Sequence, residues 1–187
     1  MNTANFSNNK GLSWVKFSIA FIVCIAIRLI PPPFRAPNVE PILATVMPFA
    51  KNGGAAVGFV FAFFSMVIFD VVSGHVGQWT LVTAVTYGAL GALAPFFFKK
   101  LSGVRGYVSY AVIATLVFDG ITGVIAGPLL MGQSFAVAFS GQIPFTLMHL
   151  VGNMTFALTL SPLIETWIVK NEALDTLPKF SALVTRG

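Results

Sequence analysis

Long stretches without charge constrain this chain more than any other feature. From Ala55 to Ser73 the only charged side chain is Asp70, and from Trp79 to Phe98 there is none. A helix needs about 20 apolar residues to cross a hydrocarbon layer roughly 30 Å thick. Strand-like alternation is absent, so the spanning elements are helices, which satisfy their own backbone polar groups. Charged residues make up 9% of the 187 positions, against about 25% in a soluble domain. The chain reads as an all-α integral membrane protein with a single membrane domain.

Six helices are predicted, at about 13–30, 38–51, 55–73, 79–98, 104–126 and 142–169. Pro31, Pro32 and Pro33 stop the first, since proline lacks the donor that continues a helix. The second contains Pro41 and Pro48 and is short for a span. Residues 127–141 read as a glycine-containing loop or interfacial segment. Lys10 and Lys16 precede the first apolar run as in a signal peptide, but "IRLIPPPFRAPN" offers no small-residue cleavage site, and the first helix is expected to be retained. With the N-terminus in the cytoplasm, Lys10, Lys16, Lys51, Lys99, Lys100, Arg105, Lys170, Lys179 and Arg186 fall inside, and only Arg28 and Arg35 fall outside. Basic residues collect on cytoplasmic loops. That bias supports a cell-membrane protein with both termini cytoplasmic and explains the net charge of +5 without nucleic acid.

This topology puts Asp70 and Asp119, in "FDVVSG" and "FDGITG", near the outer ends of two parallel helices. A carboxylate there faces the negative end of the helix dipole and, at membrane depth, carries a further cost. Two readings remain open: both acids meet a polar ligand, or each fixes its turn with backbone N–H groups or with Ser73 and Thr122. The sixth helix carries Gln142, Thr146, His149 and Asn153 on one face. That face forms either a cavity wall or a set of interhelical hydrogen bonds, with Asn153 the deepest and most suited to packing. Trp79 opens the fourth helix, followed on its face by Thr83 and Tyr87; an interfacial tryptophan belt is the simpler explanation of Trp79. The first outer loop holds Arg28, Arg35, Asn38 and Glu40. Its basic pair suits an anionic ligand, a pairing with Glu40, Asp70 or Asp119, or a merely solvated loop.

The sequence has no P-loop, no zinc cluster, no GxSxG and no HExxH. Cys24 is the single cysteine. No cofactor or metal is expected, and the chain is not expected to hydrolyse ATP or act as an enzyme. A membrane enzyme using His149 and an aspartate is the minor alternative.

"APNVEPILATVMPFA" as a second helix, the "FDxx[ST]G" endings and "IPFTLMHLVGN", with six helices and basic cytoplasmic ends, together resemble an S component of an energy-coupling factor (ECF) transporter. The resemblance covers most of the chain. It implies a receptor that captures a vitamin or related organic micronutrient at the outer face, then docks to a transmembrane T component driven by two ATP-binding cassette ATPases. The implied substrate-binding residues are Asn38, Glu40, Asp70, Trp79, Thr83, Asp119, Gln142, Thr146, His149 and Asn153. Partner docking is implied through an Ala-xxx-Ala pattern on the first helix; the nearest match here is Ala20-xxx-Cys24, with Ser18 and Ala26 nearby. Metal-type members begin Met-x-His; this chain begins "MNTANF", so nickel and cobalt are not expected. Riboflavin, cobalamin, pantothenate and a queuosine precursor all remain open as ligands. The runner-up is a self-sufficient permease or channel, which needs a continuous polar path; a ligand-free scaffold subunit is third.

Overall fold

A computed structural model of the chain describes residues 13–31, 34 and 39–175. Among these residues every regular element is helical. Six helices follow in order: α1 (Trp14–Arg28), α2 (Ile42–Gly53), α3 (Ala55–Ser73), α4 (Gln78–Phe98), α5 (Gly103–Met131) and α6 (Phe135–Val169). The helices α3 to α6 are each long and apolar enough to cross a membrane. With 15 and 12 residues, α1 and α2 reach only about 22 and 18 Å at 1.5 Å per residue, less than the ~30 Å hydrocarbon layer.

The short α2 is the axis of the bundle. Every residue from Ile42 to Ala50 is buried, because the segment is apolar on all sides and has no face suited to water. It starts beside Glu40 and ends at Lys51. That lysine meets Glu165 of α6 at 2.7 Å, and Tyr107 of α5 donates to the same carboxylate at 2.7 Å. Lys170 lies 3.0 Å from it as well, and Lys16 donates to the Val169 carbonyl at 2.9 Å. This end of the molecule is therefore tied across α1, α2, α5 and α6. Phe17 meets Phe49 and Phe61 edge-on, and Phe49 stacks on Phe61, between α1, α2 and α3 just inside it, with centroids 4.9 to 6.1 Å apart.

Helices α3 and α4 cross with their backbones touching. A Cβ placed on Gly58 would sit 2.1 Å from the Gly91 carbonyl oxygen, and one on Gly91 would sit 2.2 Å from that of Gly58. Small residues at a crossing permit this approach, which dispersion then rewards. The hairpins α3–α4 and α4–α5 make α3 and α5 parallel, so the two FD segments lie at the same end of the bundle.

The expected loop at 127–141 is not present. The fifth helix runs on through a π-helical turn, Gly120–Ala126, into Gly127–Met131. The sixth begins at Phe135 instead of 142, with Ser134 as its N-cap accepting from the Val137 N–H at 3.3 Å. Only residues 132–134 turn the chain, with Gly132 at φ 67°. The glycines of this stretch are what make it read as a loop or interfacial segment. The wider π turn supplies the accommodation instead: the Gly127 N–H reaches back to the Thr122 carbonyl, just before the proline that cannot donate.

Candidate functional site

At the end of the bundle opposite Glu165 lies a cavity of about 290 Å³. It is lined by Glu40 before α2, Met66 and Asp70 of α3, Trp79 and Thr83 of α4, Phe118, Thr122 and Gly123 of α5, and Gln142, Phe145 and His149 of α6. Six of the residues singled out in the sequence, Glu40, Asp70, Trp79, Thr83, Gln142 and His149, thus share one space. Asn38 lies outside the described residues.

The other candidates are placed elsewhere. Asp119 sits behind the wall, 1% exposed, with Oδ1 2.8 Å from His149 Nδ1. A carboxylate can only accept, so Nδ1 carries the hydrogen. His149 Nε2 lies 3.2 Å from the Tyr87 hydroxyl. Both imidazole nitrogens are therefore engaged by the protein, and His149 presents its ring, not a lone pair, to the cavity. Asp119 Oδ2 has no partner among the described residues. Thr146 turns out of the cavity into an apolar groove between α5 and α6, together with Leu116, Ile143 and Leu150. Asn153 is fully inside the bundle and donates to Thr115 Oγ1 at 2.8 Å. It joins α5 to α6 and does not line the cavity.

The polar face of α6 was drawn through positions 142, 146, 149 and 153. The cavity face runs through 142, 145 and 149, rotated slightly from the expected one, so Phe145 belongs to the wall and Thr146 does not. Met66 was also missed, although it lies one helical turn below Asp70, a spacing that marks a shared face. Phe118, Thr122 and Gly123 enter through the "FDGITG" segment itself.

The turn-fixing reading of the two aspartates also needs correction. Ser73 Oγ donates to the Phe69 carbonyl at 2.7 Å, and Thr122 Oγ1 to the Phe118 carbonyl at 2.8 Å. Neither hydroxyl reaches its aspartate side chain. Arg28, read as a loop cation, is the last residue of α1 and is buried. It donates to Glu40 Oε1 and to the Ser65 carbonyl, both at 3.2 Å, and lies 3.7 Å over the Phe69 ring. Of the alternatives left open for it, pairing with Glu40 is the one seen.

Local bonding limits what the cavity can offer. The Thr83 hydroxyl is back-bonded to the Trp79 carbonyl at 3.0 Å. Gln142 Nε2 reaches Thr146 Oγ1 at 3.3 Å, while its Oε1 lies where a Cβ on Gly123 would be, 1.7 Å away. Glycine at 123 is what lets the carboxamide lie flat against α5.

Ala20 and Cys24 were expected to face a partner helix. Both are fully buried on the inner side of α1, so they cannot meet a partner while α1 stays in the bundle. The outward small positions on that helix are Ser18 and Ala26. No protein-family model, curated protein or solved structure matches the chain.

Proposed function

We propose that this chain is a membrane receptor of the S-component kind, which captures a small organic micronutrient in the cavity and delivers it to a T component and two ATP-binding cassette ATPases. The observation that carries the reading is a cavity at one end of the bundle, in which Glu40 and polar and aromatic side chains from α3 to α6 share one space, while the residues Ile42–Ala50 of α2 are all buried in the bundle. Aromatic walls with a few directed polar groups are the usual make-up of a small-ligand site. The buried apolar interior speaks against a self-sufficient permease, which needs a polar path past Met47, Phe49 and Phe61. Among the described residues Lys16, Lys51, Lys99, Lys100, Arg105 and Lys170 gather at the end away from the cavity, and Arg28 alone lies near it. That asymmetry favours a cavity open to the outside. Partner helices would then meet α1 through Ser18 and Ala26.

The test is a titration of the purified protein with a vitamin panel by calorimetry, followed by reconstitution of the chain alone in liposomes. Saturable binding without uptake is the expected result. Uptake by the chain alone would replace this reading with the permease. A Ser73→Cys variant is expected to react with an impermeant maleimide added outside intact cells; labelling only after lysis would reverse the orientation.

A further inference from the structure

We infer that the cavity selects a cation: a small planar nitrogen heterocycle bearing a fixed or protonated positive charge. The inference rests on the receptor reading above and names the ligand class of that site. Three carboxylates stand in or directly behind the wall, those of Glu40, Asp70 and Asp119. Opposing them among the described residues are one guanidinium, Arg28, and one imidazole, His149, and with either protonation state of the imidazole the balance of this set stays negative. Arg28 does not line the cavity, and its side chain is held by Glu40, the Ser65 carbonyl and the Phe69 ring. Among the described residues no lysine reaches this end.

The hydrogen-bonding inventory points the same way. Asp70 is half-buried, lines the cavity, and meets no donor among the described residues. Glu40 has one oxygen on Arg28, and the other meets no donor among the described residues. The hydroxyls of Thr83 and Thr122 give their hydrogens to backbone carbonyls and retain only lone pairs. Both nitrogens of His149 are engaged. What remains as donors is the Trp79 indole N–H and one N–H of Gln142, so acceptors dominate. A ligand rich in N–H donors completes these groups, whereas a carboxylate or phosphate would face unpaired acceptors and like charge. Trp79, Phe118 and Phe145 line the cavity, and aromatic rings attract cations through their quadrupoles. At about 290 Å³ the space is at the lower bound of small-molecule pockets, roughly 300 Å³. It suits one or two rings and not a corrin.

The experiment titrates the detergent-purified full chain with thiamine as the ring cation, riboflavin as the neutral heterocycle and pantothenate as the anion, reading calorimetry and Trp79 fluorescence. Thiamine, or a protonated aminomethyl heterocycle added as a second cation, is expected to bind at least tenfold more tightly than either other class. Asp70→Asn is expected to weaken the cation at least tenfold with an unchanged melting temperature, and Asp70→Glu to recover part of the loss. If riboflavin or pantothenate saturates the protein and the cations do not, the charge assignment falls while the receptor reading stands. The assignment also falls if Asp70→Asn leaves cation affinity unaltered. If no class binds, both fall together.

Discussion

The two FD segments start alike and end differently. In both, the hydroxyl three residues after the aspartate bonds back to the phenylalanine carbonyl, at 2.7 Å for Ser73 and 2.8 Å for Thr122. After that they diverge. Gly74 takes φ 74° and closes α3, with the His75 N–H donating to the Asp70 carbonyl at 2.9 Å; this is the left-handed cap that glycine permits without a Cβ penalty. Gly123 stays helical inside a π turn and α5 continues to Met131. Asp70 is consequently left near a helix end with its carboxylate open to the cavity. Asp119 is covered by α6 and locked to His149. The motif does not decide what its aspartate does; the glycine's conformation and the helix packed opposite do. One acid is free to meet a ligand because the other carries the tertiary contact.

The strongest way to break this contrast is to remove each carboxylate. Asp119→Ala leaves the His149 Nδ1–H buried without an acceptor. A buried donor left unsatisfied costs about 1–3 kcal/mol, so a fall in melting temperature is expected by thermal denaturation in detergent. Asp70→Ala removes a half-buried group with no protein partner and is expected to stay within about 0.5 kcal/mol of the wild type. If Asp70→Ala melts as early as Asp119→Ala, the division between the two acids is wrong.

The next effect separates the glycines by binding. A Cβ at 123 lands on the Gln142 carboxamide oxygen, the far end of a flexible side chain, so the amide swings into the cavity and the fold survives. Gly123→Ala is expected to weaken ligand binding about tenfold, equivalent to about 1.4 kcal/mol, with little change in melting. The matched variant Gly74→Ala, where a Cβ meets nothing within 4 Å, should leave affinity intact. Calorimetric titration of the two variants checks both halves.

Much of this arrangement was legible in the sequence. The uncharged stretches forecast the helices, and the parallel course of α3 and α5 put Asp70 and Asp119 at one end. What failed did so for identifiable reasons. Residues 127–141 read as a glycine-containing loop or interfacial segment because a π turn leaves no compositional mark, and so α5 and α6 came out too short. A helical face drawn at steps of four and three fits positions 145 and 146 almost equally well; only the packing of α6 on α5 decides which one faces inward. Ala20 and Cys24 were assigned outward by resemblance to a docking pattern, yet a small residue serves equally well where α1 lies close against α2 and α3. Glu165 is not marked in the sequence because two of its partners, Lys51 and Tyr107, are distant in sequence, and because Lys51 and Lys170 read as topological charges.

Stability then distinguishes the same two glycines in the opposite sense. The left-handed region costs a residue with a Cβ about 1–2 kcal/mol, so Gly74→Ala is expected to lower the melting temperature by a correspondingly small step. Gly123 lies in the π turn without a positive φ, and alanine there reduces the backbone entropy of the unfolded chain, offsetting the displaced amide. A larger loss at 123 than at 74 would mean that the π turn, not the cap, holds the strain.

The smallest expected effect tests whether the shared local bond matters at all. Ser73→Ala deletes a hydroxyl that bonds only within its own helix, near the mouth of the cavity, where water replaces it. Such back-bonded hydroxyls contribute little and slightly disfavour the helix, so a change within about 0.5 kcal/mol is expected. Thr122→Val deletes the equivalent bond but keeps the shape, at a buried position that lines the cavity. Its stability should also hold, since the methyl fills the site and the Phe118 carbonyl is already part of the helix ladder. Binding is where the two should part: Ser73→Ala unchanged, Thr122→Val weaker by a few-fold because one acceptor is lost from the wall. Equal affinities in both variants would mean that Thr122 serves the helix alone, and that the resemblance between the segments extends one residue further than their functions.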